Sequence, residues 1–242
     1  MGTLFINPVY LLTMLGQTTL MFAAAGLQFW TIAYYQVVLG VEAVEAQYTF
    51  VIVLFSAMVP GVVLGAKLAD YYGGYKGQGM QNALSLCVLS GTLATIFSLS
   101  LTITFEKNMF TLLTWLFFFS GAPIMPIAAG IIIGCVPKFA QNSASALYCI
   151  FQNIVGLSLA PVLSGHIMEQ YKNKRQGMIK GYQLLLFAGI LLVLLFVGAR
   201  AIVRRYMARM RLAEESQHQN VVGGGGLINI EDRNDENGDD DN

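Results

Sequence analysis

Residues 181–203 read GYQLLLFAGILLVLLFVGARAIV, and Arg200 is the only charged side chain among them. About 20 mainly apolar residues are needed for an α-helix to cross the hydrocarbon core of a bilayer. Arg200 lies near one end of the segment, where a long basic side chain reaches the water interface. The segment therefore predicts a membrane-spanning helix rather than the buried helix of a soluble domain.

Five further segments upstream have the same character, and short polar or glycine-rich breaks separate them. The six predicted spans lie near 9–36, 48–69, 80–104, 109–134, 142–168 and 181–203. Apolar residues make up 55% of the chain and charged residues only 12%, about half the charged share of a typical soluble domain. The sequence predicts an all-α membrane protein whose six transmembrane helices occupy residues 1–211.

The composition changes after Arg211 to a polar segment with four consecutive glycines and a terminal block rich in Asp. Such a segment has too little apolar surface to form a core. We therefore predict that residues 212–242 are a disordered acidic tail.

Basic residues in short loops indicate which ends of the helices face the cytoplasm. With the N-terminus inside, the cytoplasmic side receives Lys67, Lys76, Lys138 and the arginines of 200–211, whereas the break at 169–180 places its basic residues outside. The balance favours cytoplasmic N- and C-termini. The identity of the membrane is not predicted.

Catalytic and metal-binding patterns are absent from the sequence. The two histidines, His166 and His218, have no carboxylate, serine or metal-ligand companions at a useful spacing. Cys87, Cys135 and Cys149 also lack metal-type spacing. We expect no enzyme activity, no metal site and no cofactor, and without a folded basic surface we expect no nucleic-acid partner.

Neutral polar and small residues follow helical spacing on one face of the first predicted span and again on the fifth. From these faces we select seven candidates for the wall of a substrate pathway: Gln17, Gln28, Thr31, Tyr35, Cys149, Gln152 and Asn153. Ala24 continues the first face, and Ser145 and Gly156 continue the second. Membrane bundles also use small and polar groups at ordinary helix contacts, so both interpretations stay open.

Four prolines fall within the predicted second, fourth and fifth spans, and they are Pro60, Pro123, Pro126 and Pro161. Proline removes a backbone donor and bends a helix. Such bends suit a bundle that moves, although a static bundle can contain them too.

Residues 65–76, GAKLADYYGGYK, join the second and third predicted spans. They resemble the loop signature of the major facilitator superfamily, in which an aspartate at a helix end is followed by glycine and basic residues. The matching residues are Gly65, Asp70, Gly73, Gly74 and Lys76. By this resemblance, Asp70 binds the positive N-terminus of a neighbouring helix or an arginine and latches one conformation.

Two other segments extend the resemblance over most of the hydrophobic chain. The segment 136–165, with Pro137, Asn153, Gly156 and Pro161, looks like the one leading through the penultimate helix of these transporters. The first span, with Gly16 and Gln17 followed by phenylalanine, glycine and tryptophan, is similar to the helix that opens the second half of spinster-like members.

The resemblance implies the C-terminal six-helix half of a twelve-helix secondary transporter, with the substrate bound between two halves near the bilayer midplane. It also implies that the first, second, fourth and fifth spans line the pathway, while the third and sixth pack outside. The expected function is transport of a small organic solute by alternating access. The expected partners are that solute, the lipid bilayer, and either a missing N-terminal half or a second copy of this chain.

A non-transporting membrane scaffold or regulator, or a degenerate transporter paralogue, is the alternative. The two functions differ in what they require of Gln17, Gln28 and Gln152. A transporter brings these side chains to one cavity, whereas a scaffold leaves them in separate dry contacts.

Overall fold

The computed structural model describes the backbone of residues 7–75 and 77–231 and the side chains of residues 7–75 and 77–209. The regular elements of this described part are helices. Six helical segments are long and apolar enough to cross a membrane, by length and composition. The prediction of an all-α, multi-pass membrane protein is confirmed at this level.

The first three spans are single helices, namely α1 (Pro8–Val37), α2 (Ala43–Tyr71) and α3 (Gln78–Leu101). The fourth span consists of α4 (Lys107–Gly121) and α5 (Ile124–Gly134). The fifth contains a 3-10 turn (Lys138–Ala140), α6 (Gln141–Phe151), a π-helical segment (Gln152–Ser158) and α7 (Leu159–Glu169). The sixth, Lys174–Arg209, is the first part of α8 (Lys174–Glu231).

The C-terminal residues form a second unit, Val203–Asn242, distinct from Met1–Ile202. The α8 backbone is helical as far as Glu231, whereas residues 232–242, and the side chains beyond residue 209, lie outside the described part. The disorder predicted for 212–242 stays a prediction.

Two helices begin earlier than the predicted spans. The second begins at Ala43 rather than near 48, and the sixth at Lys174 rather than near 181. Apolar runs mark only the part of a helix that lies in hydrocarbon, whereas backbone hydrogen bonding continues through polar turns at the interface. The exposed Glu45, in the first turn of α2, belongs to such a turn.

The first span is well buried within the six-helix unit, and the fifth is not. In their most apolar stretches, 67% of the first span is buried, against 11% of the fifth. Glycines bring neighbouring helices close to the first span, because a Cβ atom at Gly26 would lie 2.3 Å from the Leu185 Cδ2 atom of the sixth.

The second span packs against the fourth through small residues spaced four apart, which are Ala57, Gly61, Gly65 and Ala69. A Cβ atom at Gly61 would lie 2.9 Å from the Phe119 carbonyl oxygen, and one at Gly65 would lie 2.5 Å from the Pro123 carbonyl oxygen. The second of these contacts falls at the interruption of the fourth span between α4 and α5. Gly65 therefore lets the second span approach the backbone where the fourth span changes helix.

Hydroxyl groups of the third span donate hydrogen bonds to the sixth span. Thr95 Oγ1 donates to the Gly189 carbonyl at 2.9 Å, and Ser98 Oγ donates to the Leu186 carbonyl at 2.7 Å. Lipid chains offer little driving force for helix association, so such hydrogen bonds help to hold membrane helices together.

The start of the first span is joined to the fourth and fifth. Asn7 caps α1 by accepting from the backbone of Val9, and its Nδ2 donates to the Cys135 carbonyl at 2.9 Å. The Tyr10 hydroxyl donates to the Ala144 carbonyl at 2.9 Å. These hydrogen bonds fix the position of the first span along its own axis relative to the fourth and fifth spans.

Candidate functional site

The candidate site is a group of polar side chains in the first span, where it meets the fifth. Gln17 lies about 14 Å along α1 from Pro8, at 1.5 Å per residue, and its side chain is fully buried. Thr13, one helical turn earlier on the same side of α1, is also fully buried. Neither the Gln17 amide nor the Thr13 hydroxyl has a hydrogen-bond partner among the described residues.

Other threonines of the same helix have satisfied hydroxyls. Thr18, Thr19 and Thr31 each donate to the carbonyl oxygen four residues earlier, at 2.8, 2.8 and 2.5 Å. That bond needs no tertiary partner. Among the described residues, the buried unpaired side-chain atoms of α1 therefore lie in a single turn, at Thr13 and Gln17.

The fifth span contributes Tyr148 to this site. The Tyr148 hydroxyl interacts with the Gln17 side chain, but neither amide atom of Gln17 reaches hydrogen-bond geometry. Tyr148 packs on the apolar cluster of Tyr10, Met14 and Ala144 at the junction. The interaction is a close approach of two polar groups that stops short of a formed hydrogen bond.

The approach of the two helices depends on Gly156 in the π-helical segment. A Cβ atom at Gly156 would lie 2.8 Å from the Met21 Cβ atom and 3.2 Å from the Thr18 carbonyl oxygen. π-helical turns inside α-helices are frequent at functional sites. This one begins at Gln152 and is followed in α7 by Pro161, which cannot donate to the Leu157 carbonyl four residues earlier.

The three candidates predicted on the fifth span precede Gly156 and differ in burial. Gln152 is half-buried, while Cys149 and Asn153 are exposed. Asn153 Nδ2 donates to the Cys149 carbonyl at 2.7 Å, and Ser158 Oγ donates to the Asn153 carbonyl at 2.9 Å. The exposed surface of the fifth span therefore contains these polar groups among larger apolar side chains such as Ile150 and Ile154.

The remaining candidates on the first span lie in other contacts. Gln28 Nε2 approaches the Met58 sulfur of the second span at 3.6 Å, which is a weak interaction. Thr31 shares a hydrogen bond of 2.8 Å with the Tyr182 hydroxyl. Tyr35 shares one of 2.6 Å with the Thr111 hydroxyl of the fourth span.

Thr31 and Tyr35 belong to a closely packed aromatic cluster near the other end of the first span. Tyr34 stacks on Phe110 with ring centroids 4.8 Å apart and lies 4.5 Å from the Tyr182 ring. All of these aromatic side chains are at most 2% exposed. In this conformation the cluster joins the first, fourth and sixth spans and leaves no room for a solute.

A small cavity lies between the first, second and fourth spans. Its volume is about 20 Å³, which is enough for one water molecule. Its lining is apolar and includes the methionines Met21, Met58 and Met125. Gln17, Gln28 and Gln152 do not line it, so these three glutamines do not converge on this cavity.

The predicted signature loop forms a tight helix end. Gly73 and Gly74 have φ angles of +95° and +72°, which favour glycine. The Gly74 N–H donates to the Ala69 carbonyl at 2.9 Å and the Gly73 N–H to the Asp70 carbonyl at 3.3 Å, as in a Schellman cap. Asp70 is exposed at this cap, and Lys76 lies outside the described residues.

Tyr75 fixes the loop on the fourth span. A Cβ atom at Gly130 would lie 2.3 Å from Tyr75 Cζ, and one at Gly134 would lie 3.0 Å from the Tyr75 carbonyl oxygen. Partial burial raises the pKa of the Tyr75 hydroxyl, and the neighbouring Asp70 carboxylate raises it further. Gly130 therefore leaves room for the Tyr75 ring, and Gly134 leaves room for the Tyr75 backbone.

The predicted helix bends have different surroundings. The helix remains continuous through Pro60 in α2. Pro123 lies at the interruption between α4 and α5, and Pro126 is in the first turn of α5. Pro161 directly follows the π-helical segment of the fifth span.

Sequence analysis missed Thr13 and Tyr148 as members of the site. Each lies four residues before a selected glutamine, Thr13 before Gln17 and Tyr148 before Gln152. Extending each polar face by one turn towards the N-terminus would have found both residues.

Comparison with known proteins adds no relative. No protein-family model matches the sequence, and no curated protein matches it significantly. The regular elements of the described residues are helices, six of which are long and apolar enough to span a membrane.

Proposed function

We propose that this chain is one six-helix half of a secondary transporter of the major facilitator type, which moves a small organic solute by alternating access. The observation that carries the proposal is the unpaired polar turn of the first span. Gln17 and Thr13 are fully buried, and their side-chain polar atoms have no hydrogen-bond partner within the described part of the chain.

An unpaired amide or hydroxyl in an apolar interior costs about 1–3 kcal/mol. Water does not offset that cost inside a bilayer. A static bundle would be more stable with apolar side chains at residues 13 and 17. In a transporter, such groups gain hydrogen bonds to water or solute whenever the first and fifth spans separate.

The fifth span is little buried within the six-helix unit, since only 11% of its most apolar stretch is covered. Cys149, Asn153 and Ser158 are exposed on it among apolar side chains such as Ile154, and Asn153 and Ser158 donate hydrogen bonds within their own helix. We propose that a second six-helix half, from another segment or from a second copy of this chain, faces this side across the pathway.

The signature loop supports the same proposal. The exposed carboxylate of Asp70 makes no ion pair with another described side chain, and the loop around it is held by a Schellman cap and by Tyr75. A fixed, exposed anion at a helix end is suited to binding a basic residue or a helix N-terminus of the opposite half.

A membrane scaffold is the second candidate function. The separation of Gln17, Gln28 and Gln152, which do not meet at one cavity, favours it, and so does the aromatic cluster. Thr31 and Tyr35 are buried and hydrogen-bonded within that cluster. If all seven candidate residues were packing groups, the site of Gln17 would be a tolerated defect rather than part of a pathway.

Uptake into vesicles tests the proposal. Purified chain, alone or as a covalent tandem of two copies, is reconstituted and offered a panel of sugars, organic anions and amphiphiles. The proposal predicts saturable uptake of one solute class that is lost in Gln17→Met and Gln152→Leu and kept in Gly91→Ala. A Cβ atom at Gly91 would lie in ordinary contact, 3.6 Å from Leu192. Equal uptake by folded wild type and both glutamine variants would contradict the proposed pathway.

A further inference from the structure

A cleft separates the second and fourth spans at the end where both helices begin. Its volume is about 460 Å³, more than 20 times that of the cavity lined by the methionines. Its lining residues are Thr49, Val53, Lys107, Asn108, Thr111, Leu112 and Trp115. The proposed transport function does not use this cleft.

Two contacts join the helices on either side of the cleft. Near the start of the spans, Lys107 of the fourth forms an ion pair with Glu45 of the second, and both side chains are partly exposed. Further along, the Trp115 indole N–H donates to Ser56 Oγ at 3.0 Å. Trp115 follows Lys107 by two helical turns, about 12 Å at 1.5 Å per residue.

The lining changes from charged to polar to apolar between these contacts. Lys107, which pairs with Glu45 beside the cleft, comes first, and the side chains of Thr49 and Asn108 follow without hydrogen bonds to other described residues. Val53, Leu112 and Trp115 complete the cleft. A phospholipid has the same order of polarity from its headgroup through its ester region to its acyl chains.

We propose that this cleft binds a zwitterionic phospholipid of the adjacent leaflet, as a resident lipid rather than as the transported solute. The lipid phosphate pairs with Lys107 and the headgroup cation with Glu45. The ester region lies beside Asn108 and Thr49, and one acyl chain continues along Leu112 and Trp115. The inference is independent of transport.

The ion pair specifies this headgroup chemistry. A simple anion at Lys107 would also face the Glu45 carboxylate, and a simple cation would face the Lys107 ammonium. Only a ligand that has both charges within a few ångströms is attracted by both residues. An anionic phospholipid with a neutral headgroup lacks the group that Glu45 requires.

The chain contains two tryptophans, Trp30 and Trp115, so Trp30→Phe leaves a single fluorescent reporter in the cleft. The full chain with this substitution is purified in detergent and titrated with short-chain phosphatidylcholine. Phosphatidylglycerol of equal chain length and free phosphocholine are titrated in parallel. We expect a saturable change in Trp115 emission with phosphatidylcholine alone.

Three variants separate a lipid site from a structural ion pair. Lys107→Gln and Glu45→Gln should each weaken phosphatidylcholine binding at least tenfold. The exchange Glu45→Lys with Lys107→Glu keeps an ion pair but reverses its direction, so it should keep the wild-type melting temperature and still lose tenfold or more in affinity. Unchanged affinity in the exchanged variant would overturn the proposal. Equal binding of phosphatidylglycerol, or of free phosphocholine, would overturn the assignment to a zwitterionic lipid.

Discussion

Gln17 and Thr13 differ from the other polar side chains of the first span in having unpaired atoms without exposure to water. Tyr148 interacts with the Gln17 side chain, yet neither amide atom of Gln17 has a hydrogen bond of good geometry with a described residue. Such a buried polar group can exist either without a hydrogen-bond partner or with one. It gains a partner when the helices shift or when water enters.

Replacing Gln17 with methionine tests this state directly. Gln17→Met keeps the size of the side chain and removes the unpaired amide, so it should raise the free energy of unfolding by about 1–2 kcal/mol. Thermal unfolding in detergent measures the change, with Gln28→Met as the control because the Gln28 amide is half-buried and approaches Met58. Destabilisation of Gln17→Met by more than about 1 kcal/mol would assign a formed hydrogen bond to Gln17 and contradict the account.

Tyr75 offers a second test at the scale of single residues. Gly130→Ala places a methyl group where the Tyr75 ring lies, since the Cβ atom would be 2.3 Å from Tyr75 Cζ. The displaced ring becomes more exposed, and the pKa of its hydroxyl, which burial raises, should fall towards its ordinary value. Titration by ¹³C NMR of labelled tyrosine, assigned with Tyr75→Phe, measures this pKa. An unchanged pKa in Gly130→Ala would show that the ring does not occupy that position.

At the scale of elements, the sequence predicted all six spans, because runs of apolar residues mark the part of a helix that lies in hydrocarbon. It did not predict the division of the fourth span into α4 and α5, although Pro123 marked the place. It also did not predict the π-helical segment Gln152–Ser158 of the fifth span. Gly65 packs against the first of these features and Gly156 lies within the second, and helical spacing does not show either contact between spans.

The candidate site could be predicted only in part, because the sequence does not show which spans contact each other. Helical spacing identified Gln17 and Gln152 on two polar faces. Helical spacing does not show which neighbouring span a helix face contacts. Thr31 and Tyr35 therefore have the same predicted role as Gln17, although they lie in the aromatic cluster.

Gly156 tests the contact between the first and fifth spans. Gly156→Ala places a Cβ atom 2.8 Å from the Met21 Cβ atom, so the helices must move apart. We expect a loss of about 1–3 kcal/mol in the free energy of unfolding, as for other overpacked sites, and reduced uptake. Gly198→Ala is the matched control, because its Cβ atom would lie 3.5 Å from Leu12 Cδ1. Equal melting temperatures for the two variants would contradict the close contact.

At the scale of the whole molecule, the proposed pathway requires the side of the six-helix unit formed by the fifth span to face water or a second half rather than lipid. The exposed Cys149 lies on that side, next to the residues of the candidate site. Leu194 of the sixth span is 63% exposed and lies among apolar residues, so it represents the lipid-facing surface. A thiol reacts as its thiolate, which forms in water and not in lipid.

The most direct measurement is the labelling of Cys149 in vesicles by a charged, membrane-impermeant methanethiosulfonate reagent. Cys87→Ala and Cys135→Ala leave Cys149 as the only cysteine, and Leu194→Cys in a cysteine-free background is the control. The account predicts labelling of Cys149, protection of Cys149 by the transported solute, and no labelling at residue 194. Labelling of Cys149 only after denaturation would mean that this surface does not meet water, and would contradict the proposed pathway.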